Sequence, residues 1–305
     1  MEILTLSDYL KNRYGQKVYK LALSSGCTCP NRDGSLGVGG CTFCSAGGSG
    51  EFAAPVSEAQ HPDAQIEAAK AHVIQKMPAG LPPEKQKFIA YFQSYTNTYG
   101  DRDRLWKLYR HVISRPDIVI LSIGTRPDCL GDDMLEMLAD LNTVKPVWVE
   151  LGLQTANDTT AARIHRGYPT AVFDESYRRL KSAGLTVITH IILGLPGETK
   201  EDMLGTVRHL TALDPAPDGV KLQMLNILAG SQLADEYKAH PFPQMTMEEY
   251  CSLVVECLEL LPETTVIHRM TGDGPRRLLI SPSWVTDKKR VINLLRKKIE
   301  EAERT

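Results

Sequence analysis

The chain has 305 residues, room for two domains of average size or for a single α/β barrel, and its side chains are 42% hydrophobic and 24% charged. Its 35 basic and 37 acidic residues give a formal net charge of -2. That balance excludes a protein held to nucleic acid or membrane by bulk charge, and leaves room only for a local basic patch. No stretch approaches ~18 uninterrupted apolar residues, and the N-terminus shows no basic start followed by an apolar run, so the chain reads as cytoplasmic with no membrane partner.

Short β-branched and apolar runs recur along the sequence, each followed by a turn and a stretch of helical periodicity, the pattern of βαβ units on a parallel sheet. Lys17 to Ser24 is the first such run, followed by a glycine-rich loop and a helix from Ser57 to Met77. Next come Lys87 to Gln93 with a helix over Arg102 to Ser114, and Ile118 to Gly124 with a helix over Asp132 to Leu141. Val147 to Leu153 precedes a short helical turn near Asn157 and a longer helix from Ala171 to Ser182. Thr186 to Leu193 leads into a helix over Thr199 to Leu213, and Val220 to Leu228 is the sixth run. The pattern then changes to helices over Ser231 to Lys238 and Met247 to Leu261, a lone run TVIHRM, and a C-terminal helix from Lys288. A complete barrel needs eight repeats, so the expected fold is an open α/β partial (β/α)6 TIM-type barrel with a C-terminal helical extension. Residues 1–16 form an N-terminal segment, 17–230 the core and 231–305 the extension. Ligands are expected where the βα loops open, at the C-terminal ends of the strands.

Four of the seven cysteines crowd into residues 27 to 44, directly after the first strand. A disulfide framework is a poor explanation in a chain of this size. Cys29, Cys41 and Cys44 form C-x11-C-x2-C, and the glycines at 34, 37, 39 and 40 let the loop curl back on itself. Three thiolates suit a cuboidal iron–sulfur cluster whose fourth iron stays open. With Cys27 added, the spacing suits a closed four-thiolate zinc site equally well, and the spacing alone leaves both open.

The later motifs carry a resemblance. GTRPD at Gly124 to Asp128, ELGLQT at Glu150 to Thr155, HRGY at His165 to Tyr168 and HIILGLPGET at His190 to Thr199 fall in order at strand ends. With the cysteine loop they resemble the radical S-adenosylmethionine (SAM) superfamily in its Elongator-like branch. The likeness is greatest to bacterial stand-alone members marked by CPNRDG, YFQSYTNTY and HRMTGDGPR. It implies a 4Fe-4S cluster on Cys29, Cys41 and Cys44, with SAM as second cofactor, and a function of cleaving SAM reductively to a 5'-deoxyadenosyl radical that abstracts hydrogen from a substrate. Cys27 is then a bystander, and a low-potential electron donor of flavodoxin or ferredoxin type is an implied partner.

The same resemblance places SAM contacts at Gln93 and Ser94, where the usual glycine-glycine-glutamate motif is absent. Glu150 and Gln154 alternate with apolar neighbours on one strand face, where inward polar groups are costly unless they bind something such as SAM. Arg126 and Arg166 could hold its carboxylate or equally pair with a local acid such as Asp128, and the resemblance puts Gly194, Gly197 and Glu198 around the adenine. Glu198 could otherwise serve as an ordinary charge partner at a helix N-terminus. His190 either reaches substrate or is satisfied by a neighbour inside the barrel, Cys129 reads more simply as a buried thiol, and Cys251 and Cys257 as core. The 45 residues after Leu260 are too few for the acetyltransferase domain of Elongator's catalytic subunit, so that chemistry is not expected. Residues 276 to 304 hold nine basic side chains against four acids. That surplus makes tRNA a candidate partner. The plain alternative is the solvated face of a helix that packs through Val291, Leu294, Leu295 and Ile299. The rival function is a zinc-stabilised RNA-binding module.

Overall fold

The computed structural model describes residues 3–48, 50–54, 61–78, 80–272 and 274–304. After a first helix α1 (Leu6–Tyr14), the chain alternates strands and helices: β1 (Tyr19–Leu23), α2 (Pro62–Val73), β2 (Phe88–Phe92), α3 (Arg102–Ser114), β3 (Ile118–Thr125), α4 (Asp132–Asn142) and β4 (Val147–Gln154). It continues through α5 (Asp158–Arg163), α6 (Thr170–Ser182), β5 (Thr186–Leu193), α7 (Lys200–Thr211) and β6 (Gly219–Met224). The last part contains β7 (Ile227–Leu228), α8 (Gln232–Ala239), α9 (Met247–Leu260), β8 (Val266–Arg269), β9 (Leu279–Ser281) and α10 (Lys288–Ala302).

Seven strands make one parallel sheet in the order β1-β2-β3-β4-β5-β6-β8, a partial barrel. The expected count of six is corrected by one, because the lone run TVIHRM supplies β8, which pairs in parallel with β6. The sixth run is also shorter than expected. It breaks after Met224, and Ile227–Leu228 pairs antiparallel with β9 in a separate two-stranded sheet. The described part of the expected Ser57–Met77 helix starts at Pro62, behind an N-cap at His61, and its expected start at Ser57 lies outside the described residues.

Alternation along the strands sorts side chains into two faces. Outward residues meet the helices in the main core, where Leu21, Leu23, Phe92, Leu121, Val149, Leu151, Val187 and Leu222 are fully buried. The C-terminal extension shares that core: α9 contributes Tyr250, Val254 and Cys257, and α10 contributes Val291 and Leu295. Inward residues are layered. Val18, Ile89, Ile120, Trp148 and Ile188 form an apolar bottom layer, stoppered by Leu10 of α1. Two residues further along each strand the layer turns polar, with Lys20, Tyr91, Ser122, Glu150 and His190. This change from apolar to polar along one face positions the site.

Candidate active site

A cavity of about 180 Å³ opens above the polar layer at the C-terminal strand ends. Cys29, Cys41 and Cys44 line one end, and Tyr91, Glu150, His190 and Lys221 the other. The cysteine loop is stitched in place by its own backbone: Arg32 N donates to Cys29 O (2.8 Å), Gly40 N to Asn31 O (2.8 Å) and Cys44 N to Cys41 O (2.9 Å). Thr42 N reaches Ile164 O at 3.0 Å, and Leu233 N reaches Thr42 O at 2.8 Å, which anchors the loop to the ends of α5 and α8. Gly40 has φ +87°, and a Cβ there would stand 2.7 Å from Arg32 Nε. Arg32 needs that space to donate to the Cys44 and Ser45 carbonyls.

Burial, followed by repulsion from Cys44, pushes the Cys41 thiol up to about 12. Burial likewise raises Cys44. Such thiols ionise only if a metal centre supplies the positive charge. Thiolates on one tetrahedral zinc, with Zn–S of ~2.3 Å, stand about 3.8 Å apart. Among the described residues only His61, Asp63 and His111 bring three ligand atoms within 4.8 Å of one another, so no three of Cys27, Cys29, Cys41 and Cys44 do. Thiolates on separate irons of one cuboidal cluster stand further apart than that. Cys27 faces elsewhere, buried and accepting from Arg104 Nη2 at 3.3 Å.

The other candidates divide into two groups. Gln93, Arg126, Glu150 and Gln154 line the cavity with the thiols. Arg126 gives Nε and Nη2 to Asp128 (2.9 and 2.7 Å) and lies over the Tyr168 ring at 4.9 Å. Gln154 has φ +60° and accepts from Tyr168 Oη at 3.1 Å. Among the described residues, three non-glycines have left-handed backbone: Tyr95, Gln154 and His165. The first two line the cavity, and the third offers its carbonyl to Asn31 of the cysteine loop. Strain of ~1–3 kcal/mol at each is the cost of aiming these groups.

Glu150 is held entirely by protein. Oε1 accepts from Lys20 Nζ (3.2 Å) and Ser122 Oγ (2.9 Å), and Oε2 accepts from His190 Nε2 (2.6 Å) and Lys221 Nζ. His190 thus faces into the barrel and is satisfied by a neighbour while also lining the cavity.

The second group stands behind the wall. Ser94 is buried against Gly50. Arg166 spends its donors on the carbonyls of Tyr168, Leu153 and Thr155, on Asp158 and on Thr170, which ties the HRGY turn to the end of β4. Glu198 accepts from Thr155 Oγ1 at 2.5 Å, while its buried Oε2 has no hydrogen-bond partner among the described residues, and burial pushes its carboxyl up to about 7. Gly194 and Gly197 have φ +89° and +87°. A Cβ on Gly194 would meet the flexible end of Met245 at 2.9 Å, which can move, so it is the left-handed backbone that favours glycine there. We expect Gly194→Val to cost ~1–3 kcal/mol, seen as a melting temperature several degrees lower. An unchanged melting temperature would show that the turn relaxes freely.

Tyr91, Lys221, Gln223 and Arg269 also line the cavity and are absent from the sequence-derived set. The signal was present for two of them: in VKLQM, Lys221 and Gln223 sit two apart among apolar residues, the spacing of one inward face. Cys129, half-buried beside Asp128, lies outside this cavity, and Cys251 and Cys257 are buried core.

The Radical SAM superfamily model matches residues 26–210, and the Radical_SAM C-terminal domain model matches residues 217–301. The chain is 38% identical to YtqA of Bacillus subtilis over 296 residues, 97% of this chain and 89% of that one. It is 37% identical to YhcC of Escherichia coli over 276 residues, covering 90% and 85%. A tRNA uridine(34) acetyltransferase of Dehalococcoides mccartyi is 32% identical over 51% of this chain and 33% of its own length. Among solved structures, Elp3 of Methanocaldococcus infernus superposes with a TM-score of 0.66 at 18% identity, over 92% of this chain and 63% of that one. With models matched across both the barrel core and the extension, the chain belongs to the radical SAM superfamily.

Proposed function

We propose that this protein is a cytoplasmic enzyme that uses a 4Fe-4S cluster and SAM to start radical chemistry on a substrate held in the barrel. The observation that carries the reading is the convergence of Cys29, Cys41 and Cys44 on one cavity at the strand ends. When bound, cluster and SAM together supply a 5'-deoxyadenosyl radical after one-electron reduction by a donor of flavodoxin or ferredoxin type. The chain's part is to bind, orient and exclude water. Gln93, Arg126 and Gln154 face the space beside the thiols and are the side chains we assign to SAM. Arg166 and Glu198 hold the loops behind them. The apolar bottom layer and Leu10 close the barrel to water from below. Protein purified without oxygen should be brown, with broad absorbance near ~400 nm. A colourless chain holding one tight zinc would overturn the proposal in favour of the zinc-stabilised module.

For the substrate we propose tRNA. A groove of about 790 Å³ shares Gln93 and Arg269 with the cavity and is lined by Lys20, Lys76, Arg269, Arg276 and Lys288, with Glu51 as the acid among the described lining residues. The rest of the C-terminal surplus lies largely on the exposed face of α10, whose Val291 and Leu295 pack inward. Removing α10 would therefore damage the core, and single charges are the better probe. We expect total tRNA to bind with affinity falling steeply with salt, and Arg276→Gln with Lys288→Gln to flatten the log-log salt slope by about two. Absence of binding at low salt would defeat the tRNA assignment and leave the radical chemistry standing.

A further inference from the structure

The end of the cavity opposite the thiols is built from donors. Glu150, its carboxylate, has both oxygens occupied: Lys20 and Ser122 on one, His190 and Lys221 on the other. It has no room for a further donor, so it is a counter-ion to its neighbours rather than a ligand to anything in the cavity. Two ammonium groups share that one carboxylate. Lys221 is the more buried, with a side chain 3% exposed against 26% for Lys20. An ammonium has three N–H donors. One of Lys221 goes to Glu150 and one to Tyr91 Oη at 3.3 Å, with the group lying over the Tyr91 ring at 4.4 Å. The third has no protein acceptor among the described residues, on a side chain that lines the cavity. Arg269 of β8, which donates to Gln223 Oε1 at 3.1 Å, lines the same end. A buried N–H donor without an acceptor is unfavourable unless a ligand completes it.

We propose that the floor of the barrel is an oxyanion site, in which Lys221 receives a carboxylate or phosphate group of the substrate with Arg269 beside it. The assignment rests on the radical reading only in placing a reacting carbon between this group and the thiol end; the binding site itself does not depend on it. The substrate class is thereby narrowed to molecules, or modified residues of a larger molecule, that carry a compact anionic group next to the carbon that reacts. Lys20, Ser122 and His190 act as positioning residues, since each fixes Glu150 and through it Lys221.

The test is calorimetric titration of the cluster-loaded protein, at constant ionic strength, with inorganic phosphate, malonate, acetate and neutral acetamide. We expect saturable binding of at least one oxyanion and none of acetamide, weakened at least tenfold in Lys221→Met with cluster absorbance retained. Preference for phosphate or for the carboxylates identifies the source of the anionic group. Should Lys221→Met fail to fold, Gln223→Glu sets a carboxylate on the same face without opening the buried pair, and should weaken binding by a similar factor. Oxyanion binding that survives in the folded variant belongs to the outer groove and overturns the proposal, as does equal binding of acetamide. A colourless zinc protein with Lys221-dependent oxyanion binding would sink the radical reading alone, whereas a brown protein without oxyanion binding would sink this one alone.

Discussion

Cys29→Ala, Cys41→Ala and Cys44→Ala should each leave a protein with less than about one iron per chain after anaerobic reconstitution, where the parent holds about four, and with no SAM cleavage. Cys27→Ala should keep both. Three separate irons need three separate thiolates, and the loop offers these three to one cavity while Cys27 is turned away to Arg104. The loop's anchors, Thr42 to Ile164 and Leu233 to Thr42, are backbone bonds that none of the substitutions removes. Loss of iron should therefore occur without loss of fold, and circular dichroism separates the two. Retention of the cluster in Cys29→Ala together with its loss in Cys27→Ala would shift the ligand assignment by one cysteine.

The sequence was informative wherever one local signal sufficed. The first five strands and their helices are legible because a β-branched run and a helical period alternate within ~30 residues. Thr199, read as a helix start, is the N-cap of α7 and closes a capping box with Asp202. β8 was illegible for the opposite reason. It is four residues long, half of it His268 and Arg269, the next element is the short strand β9 rather than a helix, and only its parallel pairing to β6, more than forty residues away, makes it a strand. The sixth run looked continuous to Leu228 because apolar composition does not reveal where the hydrogen bonds change partner from β5 to β9.

The candidate site divides the same way. The cysteine loop is a short-range motif and could be read directly. Glu150 could be identified as an inward carboxylate in need of partners, but not what satisfied it, because Lys20, His190 and Lys221 come from three other strands. A charged residue inside a barrel reads as a ligand contact until its neighbours are known. Arg166 shows the same ambiguity: a lone arginine in a loop motif looks free to bind a carboxylate, whereas its planar fork is spent on closing a turn.

Glu150→Ala should lower stability by ~3–5 kcal/mol at neutral pH, because it strands Lys221 and Lys20 and removes the acceptor of Ser122 and His190 inside the barrel. Glu150→Gln keeps the shape and isolates the charge, so it carries the pH test. Burial pushes the Glu150 carboxyl up, but Lys20, Lys221 and His190 outweigh it and hold the group well below its usual 4.5. A depressed carboxyl contributes stability above the unfolded value, and that contribution is lost as pH falls from 4.5 through the folded value. His190 adds a second window. Burial and Lys221 bring it down to about 4 from 6.5, so the unfolded chain takes up the proton first and stability declines as pH drops from 6.5 toward 4. Denaturant midpoints of cluster-free protein should accordingly show Glu150→Gln well below the parent at pH 7.5. The difference should persist to pH 5 and narrow below 4.5, where the parent loses what its carboxylate supplied. A parent and variant that differ by less than about 1 kcal/mol at pH 7.5 would mean that the four donors around Glu150 find other acceptors, and that the polar layer is held together by something other than its single negative charge.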